Sequence, residues 1–302
     1  MEPLVSILIP TNNRPQLVIK AISSALCQSY KNIEIIVTDN SDSNETQLAV
    51  GKIPDARLKY IKNKTNIGPV INWRTALVES SGEYCIILPD DDYFINPFYV
   101  AEAVEIAQAN DVDLVITNCL LGYPDRTLIA SSCHSGSIDS KEFIEGFWKR
   151  YYIPTISNLF KRSAAIELKA FSSNDILYSD IDLWLKIMST RDKVYCYDKP
   201  SIYYLFHSTN IVTTMSTESL IKNSSFLRDA VGKNATIETL NTLICRYIAF
   251  IDNIYNVSSF NMTKRIFAEN DIYTSLSSHH TKILMARYRR KAIGAAKKFL
   301  SA

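Results

Sequence analysis

No apolar run in this 302-residue chain approaches the ~20 residues that a bilayer-spanning helix needs, so a membrane-embedded fold is not expected. The start of the chain lacks the charged segment, long apolar core and small-residue cleavage site of a secretory signal, which predicts a cytoplasmic protein. Cysteine is sparse: positions 27, 85, 119, 133, 196 and 245 form no CxxC pair, and several sit in apolar runs. That spacing predicts reduced, buried thiols in place of zinc ligands or disulfides. An excess of one charge is missing too. Lys and Arg total 33 against 31 Asp and Glu, and a net charge of +2 is too small for a general nucleic-acid binder.

What is present suits a globular enzyme-sized fold. Apolar residues make up 47% and charged residues 21% of the chain, enough for one substantial core plus an appendage. Apolar runs at Leu4–Ile9, Ile33–Val37, Arg57–Ile61, Tyr84–Leu88 and Val112–Thr117 read as strands. Helical patterns at Pro15–Gln28, Pro69–Glu79 and Pro97–Ala109 alternate with them. The alternation predicts an α/β fold with a doubly wound, mainly parallel sheet. From Asn118 to Ser140 a long connection is expected, with room for an edge hairpin. Helices near 140–150 and 180–190 and short strands at 193–197 and 200–206 follow, and beyond Thr217 the periodic Leu240, Leu243, Tyr247 and Ile251 predict a helical extension.

Chemistry concentrates at strand ends, where open α/β sheets bind ligands. Leu88-Pro89 leads directly into Asp90-Asp91-Asp92. Adjacent carboxylates repel unless they are solvated or share a cation, and oxygen donors suit Mg²⁺ or Mn²⁺. Asp39, in Val37-Thr38-Asp39-Asn40-Ser41, ends another strand and is either a turn residue or a ligand contact. Asn66-Ile67-Gly68-Pro69 is either a helix stop signal or a loop turning amides toward an anion. Pro10-Thr11-Asn12-Asn13-Arg14 reads as a strand-to-helix turn or as a polar rim over a nucleotide, and its place at a strand end favours the rim.

Taken in order, VSILIPTNNR, IEIIVTDNSDSNET and NIGPVINWRTALVESSGEYCIILPDDDYFIN resemble glycosyltransferase family 2, the large group with the GT-A fold, over residues 4 to about 212. The family's Asp-Asp-Gly-Ser appears here with Asn40 and Ser41 in place of the second Asp and the Gly, leaving Asp39 for the base-contacting role. The resemblance implies donor contacts from Pro10, Thr11, Asn13, Arg14, Asp39, Asn66, Gly68, Asp90 and Asp91, and a Mn²⁺ or Mg²⁺ ion held by Asp90 and Asp92. It also implies that Ser179-Asp180-Ile181-Asp182-Leu183-Trp184 matches the family's Glu-Asp-x-Asp-Leu-Trp, with Asp180 as general base and Ser179 replacing the usual Glu. An Asp before an apolar helix is also a common N-cap. His207 stands where relatives often carry an Arg-x-His pair, Leu205 taking the Arg position; it is either structural, or it completes the metal shell or touches the diphosphate.

The activity so implied is inverting transfer of a sugar from a nucleoside-diphosphate sugar, UDP foremost, to a hydroxyl on a saccharide or lipid-linked acceptor, in bacterial surface polysaccharide or glycolipid assembly. Residues 1–118 would form the donor-binding half, 119–212 the acceptor half and 213–302 the helical extension. Trp148, Tyr151, Tyr152 and Trp184 are candidate acceptor stackers, although aromatics are more often core. Between Lys282 and Lys298 basic residues alternate with apolar ones and no acid intervenes, so 282–302 is either a helix lying on the inner face of an anionic membrane or an ordinary surface helix. The extension also offers a surface for homo-oligomers. Two other readings stay open: a nucleotidyltransferase, against which the absence of a glycine-rich phosphate loop in PTNNR counts, and a non-catalytic sugar-nucleotide-binding scaffold.

Overall fold

The computed structural model describes residues 2–131, 134–151, 153–172, 178–207, 216–231, 237–255 and 260–269. Strands Val5–Thr11 (β1), Ile33–Asp39 (β2), Leu58–Lys62 (β3) and Tyr84–Ile87 (β4) alternate with helices Pro15–Leu26 (α1), Glu45–Val50 (α2) and Pro69–Val78 (α3). Tyr93–Phe94 (β5), Tyr99–Asn110 (α4), Leu114–Gly122 (β6), Thr127–Ala130 (β7), Gly136–Asp139 (β8) and Ser140–Gly146 (α5) follow. Next come Leu159–Lys161 (β9), Arg162–Glu167 (α6), Ser179–Thr190 (α7) and Lys193–Leu205 (β10). Four more helices, Thr217–Asn223 (α8), Phe226–Val231 (α9), Ile237–Tyr255 (α10) and Phe260–Glu269 (α11), complete the described part.

All these strands share one sheet in the order β3-β2-β1-β4-β9-β6-β10-β5, with β7 on β6 and β8 on β10. The first four run parallel, as does the pair β6 and β10, while β9 lies antiparallel between β4 and β6. Both faces are covered, which explains why the strands read as continuous apolar runs. On one face Ile7, Ile9, Ile35 and Val37 pack with α1 and α4; on the other Leu8, Ile36 and Ile87 pack with α3 and α7. The period of two along each strand divides these sets. Helix α1 contributes Val18, Ala21, Ile22 and Ala25, one face at helical spacing.

The helical extension joins the second core layer through Leu220, Leu243, Ile244, Tyr247, Ile251 and Ile266. An aromatic cluster makes the junction. The Tyr247 ring meets Trp148, Tyr178 and Phe226 at 5.7, 6.1 and 6.0 Å between centroids. Phe250 stacks on Trp148 at 5.5 Å. Among the described residues no helix is long and apolar enough to cross a membrane.

Differences from the sequence reading are local. The connection after β6 does carry an edge hairpin, β6 with β7. The two short strands expected at 193–206 are one strand, β10, whose register against β6 shifts around Pro200, where the missing N–H interrupts the ladder. The expectation of reduced, buried thiols is met at Cys85 and Cys119, which burial pushes up to about 12. It fails at Cys196, which is disulfide-bonded, and Cys27 is a free but exposed thiol. Spacing along the chain does not show which thiols come together in space, and that decides pairing.

Candidate active site

Parallel pairing brings Thr11, at the end of β1, opposite Asp39, at the end of β2, with β4 on the other flank of β1. The chain leaves β4 through a turn closed by Asp92 N–H donating to Pro89 O at 3.1 Å. This turn buries Asp90 and Asp92 to 5% and 2% exposure. Buried neighbouring carboxylates are costly, and the surrounding strand ends supply donors. Thr11 Oγ1 donates to Asp90 Oδ2 at 2.7 Å. One guanidinium nitrogen of Arg14 bridges Asp90 Oδ1 at 3.0 Å and Asp91 Oδ2 at 2.8 Å. His207 Nε2 lies 2.8 Å from Asp91 Oδ2, and Leu205 N–H donates to Asp92 Oδ1 at 3.1 Å. Asp92 Oδ2 is buried and has no hydrogen-bond partner among the described residues.

The electrostatics follow from this crowding. Burial, then the charge of Asp91, lifts the Asp90 carboxyl to about 6 against the pull of Arg14 and Thr11. Burial raises Asp92 well above the usual carboxylate range, with Asp91 adding to the rise. Burial pulls the Arg14 guanidinium down, yet Asp90 and Asp91 together outweigh it and the net shift is upward.

On the β1–β2 side, Asp39 is fully buried. Its Oδ1 accepts from Ser41 N–H at 2.7 Å and from the Ser41 hydroxyl, and its Oδ2 accepts from Tyr60 OH at 2.5 Å. Asn13, at φ 56°, is held by its N–H to Ser41 Oγ at 2.7 Å and by its side chain to Asp42. Asn tolerates this left-handed backbone better than most residues. Asn40 donates to Gly68 O at 3.2 Å, and Asn72 donates to Thr38 O at 3.0 Å and Thr11 O at 3.4 Å. Asn63 donates to both Asn40 and Asn72, at 2.9 and 2.8 Å. The three loops that carry PTNNR, TDNS and NIGP are thereby one hydrogen-bonded unit. Gly68 precedes Pro69 with φ 83°, a conformation that costs glycine little, and Asn66 Oδ1 accepts its N–H at 2.9 Å.

Tyr60 and Asn72 were not singled out from sequence. Tyr60 sits in β3 opposite Val37, two residues before Asp39, and only strand register could have shown that its hydroxyl meets that carboxylate. Burial, then Asp39, raises its phenol. Tyr60→Phe is expected to lower folding stability by about 1–3 kcal/mol at pH 7, because a buried carboxylate loses a charge-assisted donor. Denaturant titration would read the loss; an unchanged midpoint would show that Asp39 does not depend on this hydroxyl.

Helix α7 carries Asp180. Residues 191 and 192 join its C-terminus to β10, and β10, β6 and β4 share one direction. The helix packs on the sheet face that carries Leu8, Ile36 and Ile87. Asp180 is the second residue of α7, whose N-cap is Tyr178, so it is not the N-cap. Burial lifts its carboxyl to about 6 against the N–H groups of Ile181 and Asp180 itself, and Asp182 adds to the rise. Asp182 is paired with Lys186 one turn on, at 2.7 Å.

Residues 6–169 match the profile described as Glycosyl transferase family 2. The chain belongs to this family. An Escherichia coli protein named UDP-Glc:alpha-D-GlcNAc-diphosphoundecaprenol beta-1,3-glucosyltransferase is 26% identical over 83% of this chain and 94% of its own length. A Campylobacter jejuni GalNAc(5)-diNAcBac-PP-undecaprenol beta-1,3-glucosyltransferase is 29% identical over 69% of this chain and 67% of its own. Among solved structures, Staphylococcus aureus TarS 1–349 in complex with UDP-GlcNAc superposes with a TM-score of 0.63 at 13% identity, covering 92% of this chain and 91% of that one. The mannosyltransferase PcManGT from Pyrobaculum calidifontis, in complex with GDP-Man and Mn²⁺, gives 0.55 at 17% identity over 99% and 88%. These likenesses establish the GT-A fold.

Within this family 2 chain the aromatic candidates separate. Trp184 is fully buried, packed on Phe160 at 5.4 Å between ring centroids; it is core and has no free face for a sugar, a correction to its reading as an acceptor residue. Trp148 is half-buried in the cluster that joins the extension to α5. Tyr151 stacks on Phe143 at 4.8 Å. Tyr152 and the basic segment 282–302 lie outside the described residues.

The acidic trio also bears on a divalent cation. Among the described residues no three His, Cys, Asp or Glu side chains converge as a finished cage, and the place between Asp90 and Asp91 is taken by Arg14. The donors nevertheless suit Mn²⁺ or Mg²⁺. They are hard carboxylate oxygens, one of them the buried and unpartnered Asp92 Oδ2, and two already gather around a cationic group.

Proposed function

We propose that this chain is an inverting, metal-dependent hexosyltransferase that takes UDP-sugar as donor and the hydroxyl of a saccharide carried on a polyprenyl diphosphate as acceptor. The observation that carries the reading is the hydrogen-bonded joining of PTNNR, Asp39 and the acidic trio at one strand-end edge, together with the raised carboxyl of Asp180 at the start of α7. The names of the E. coli and C. jejuni relatives support the carrier-linked acceptor, and the TarS complex supports UDP.

In this reaction the bond from the anomeric carbon to the β-phosphate oxygen breaks, and its electron pair leaves with UDP. Bound by Asp90 and Asp92, with His207 at the edge of the shell, a divalent ion would stabilise charge on the departing diphosphate. Asp39 accepts a donor N–H from the base, and the amides of the Gly68 loop and the side chains of Thr11 and Asn13 line the nucleotide. Asp180 takes the proton of the acceptor hydroxyl as that oxygen forms the new bond on the opposite face of the sugar. A single displacement inverts the anomeric centre. Membrane contact through 282–302 would bring this site to a lipid-linked acceptor.

The test is a transfer assay with Mn²⁺, UDP-, GDP- and dTDP-hexoses and a synthetic long-chain alkyl diphosphate-linked N-acetylhexosamine. Glycosylation of the acceptor from a UDP-sugar is the expected result. Thermal stabilisation by nucleotide sugars with no transfer to this acceptor would overturn the reading in favour of a binding protein.

A further inference from the structure

Arg14 stands where helix physics gives a cation no advantage. It is the N-cap of α1, followed by Pro15, at the positive end of the helix dipole, which favours anions. Its placement is accounted for by what it touches. A single guanidinium nitrogen holds both Asp90 and Asp91, and among the described residues no contact engages the rest of the planar fork, whose geometry suits a phosphate. The backbone beneath is fixed: Val18 N–H donates to Arg14 O at 3.1 Å, and the preceding Asn13 is pinned to Ser41 and Asp42. The side chain is the movable part. It is 31% exposed, against 6% and 11% for the carboxylates it grips.

We propose that Arg14 is the resident counter-cation of the acidic trio in the donor-free protein, and that it exchanges Asp90 and Asp91 for the donor diphosphate, making divalent-cation binding conditional on nucleotide. This rests on the metal-dependent reading of the site given above. A divalent ion reaching Asp90 alone would have to displace the guanidinium or sit beside it, where like charges repel. A diphosphate supplies Arg14 with a new anionic partner and frees both carboxylates at once. Nucleotide and metal then raise each other's affinity by the same factor, as linkage requires, and Arg14 sets a share of that factor. The exposed solution of holding an open acidic cage without its ion is avoided.

Mn²⁺ binding followed by the electron paramagnetic resonance of free Mn²⁺ tests this without any turnover. The full chain and its Arg14→Met variant are titrated with and without UDP. Without UDP, Arg14→Met is expected to bind Mn²⁺ roughly tenfold or more tightly than the unchanged protein, in line with loss of one charge-assisted competitor. The enhancement of Mn²⁺ affinity by UDP should shrink in the variant. Arg14→Gln, neutral but still able to donate to Asp90, should behave as Arg14→Met does and covers the case in which the methionine variant does not fold. Equal Mn²⁺ affinity of unchanged and variant proteins in the absence of UDP, with UDP still recruiting the ion in both, would overturn the exchange and leave the metal-dependent reading standing. Failure of UDP to bring Mn²⁺ to any of the proteins would overturn both.

Discussion

Asp180→Asn is expected to lower kcat for sugar transfer by about 10²–10⁴-fold, the usual contribution of a positioned general base, while donor affinity stays within about twofold, since the change keeps the shape of the side chain and does not touch the nucleotide loops. The raised carboxyl gives the same claim a pH signature. Burial lifts it to about 6, and only the ionised form accepts a proton, so kcat at saturating donor and Mn²⁺ should fall with acid through about 6. The share of that fall due to Asp180 should be missing from the residual rate of Asp180→Asn, which separates it from the similarly raised Asp90. The sign for stability runs the other way. A carboxyl whose folded value lies above its unfolded one binds protons more tightly in the native state, so its contribution is full below about 4 and is lost as pH rises through about 6. Asp180→Asn removes that penalty and should melt at the same temperature as the unchanged protein, or higher, at pH 7. If Asp180 served only to stabilise the start of α7, the substitution would lower the melting temperature and spare transfer; kinetics and melting measured on one preparation separate the two.

Asp92→Asn is expected to remove at least about 10²-fold of the Mn²⁺-dependent rate, the scale associated with loss of one electrostatic contact to a developing charge. Asparagine retains an oxygen for Leu205 N–H, so the contact to β10 survives, while the second, unpartnered oxygen becomes an amide that cannot ligate a hard cation. Without metal the variant should be as stable as the unchanged protein or more so, because a buried charge beside Asp90 and Asp91 has gone. The extra melting-temperature shift that Mn²⁺ adds to UDP should disappear. A variant that retained both this shift and the metal-dependent rate would remove Asp92 from the ion's shell.

Much of this was legible in the residues. Continuous apolar runs leading into Pro10-Thr11, Asp39 and Pro89 mark three strand ends, and Pro15 and Pro69 mark the starts of α1 and α3. The acidic trio was readable because charges rarely follow such a strand without a partner. What escaped depends on pairing. Tyr60 reaches Asp39 only through the β2–β3 register, and Arg14 meets Asp90 across 76 positions. Trp184 escaped for another reason: an indole that stacks on a sugar and one that fills a core obey the same periodicity, and only exposure separates them. The short α2, β5 and β8 carry too few residues for a pattern to emerge.

The aromatic junction between α10 and the start of α7 changes how the downstream helices should be regarded. Tyr247 abuts Tyr178, two positions before Asp180, so a side chain distant in sequence braces the backbone next to the carboxylate we propose as proton acceptor. Grafting the C-terminal helices of one relative onto the sheet of another would therefore change what supports the start of α7, not merely exchange a handle.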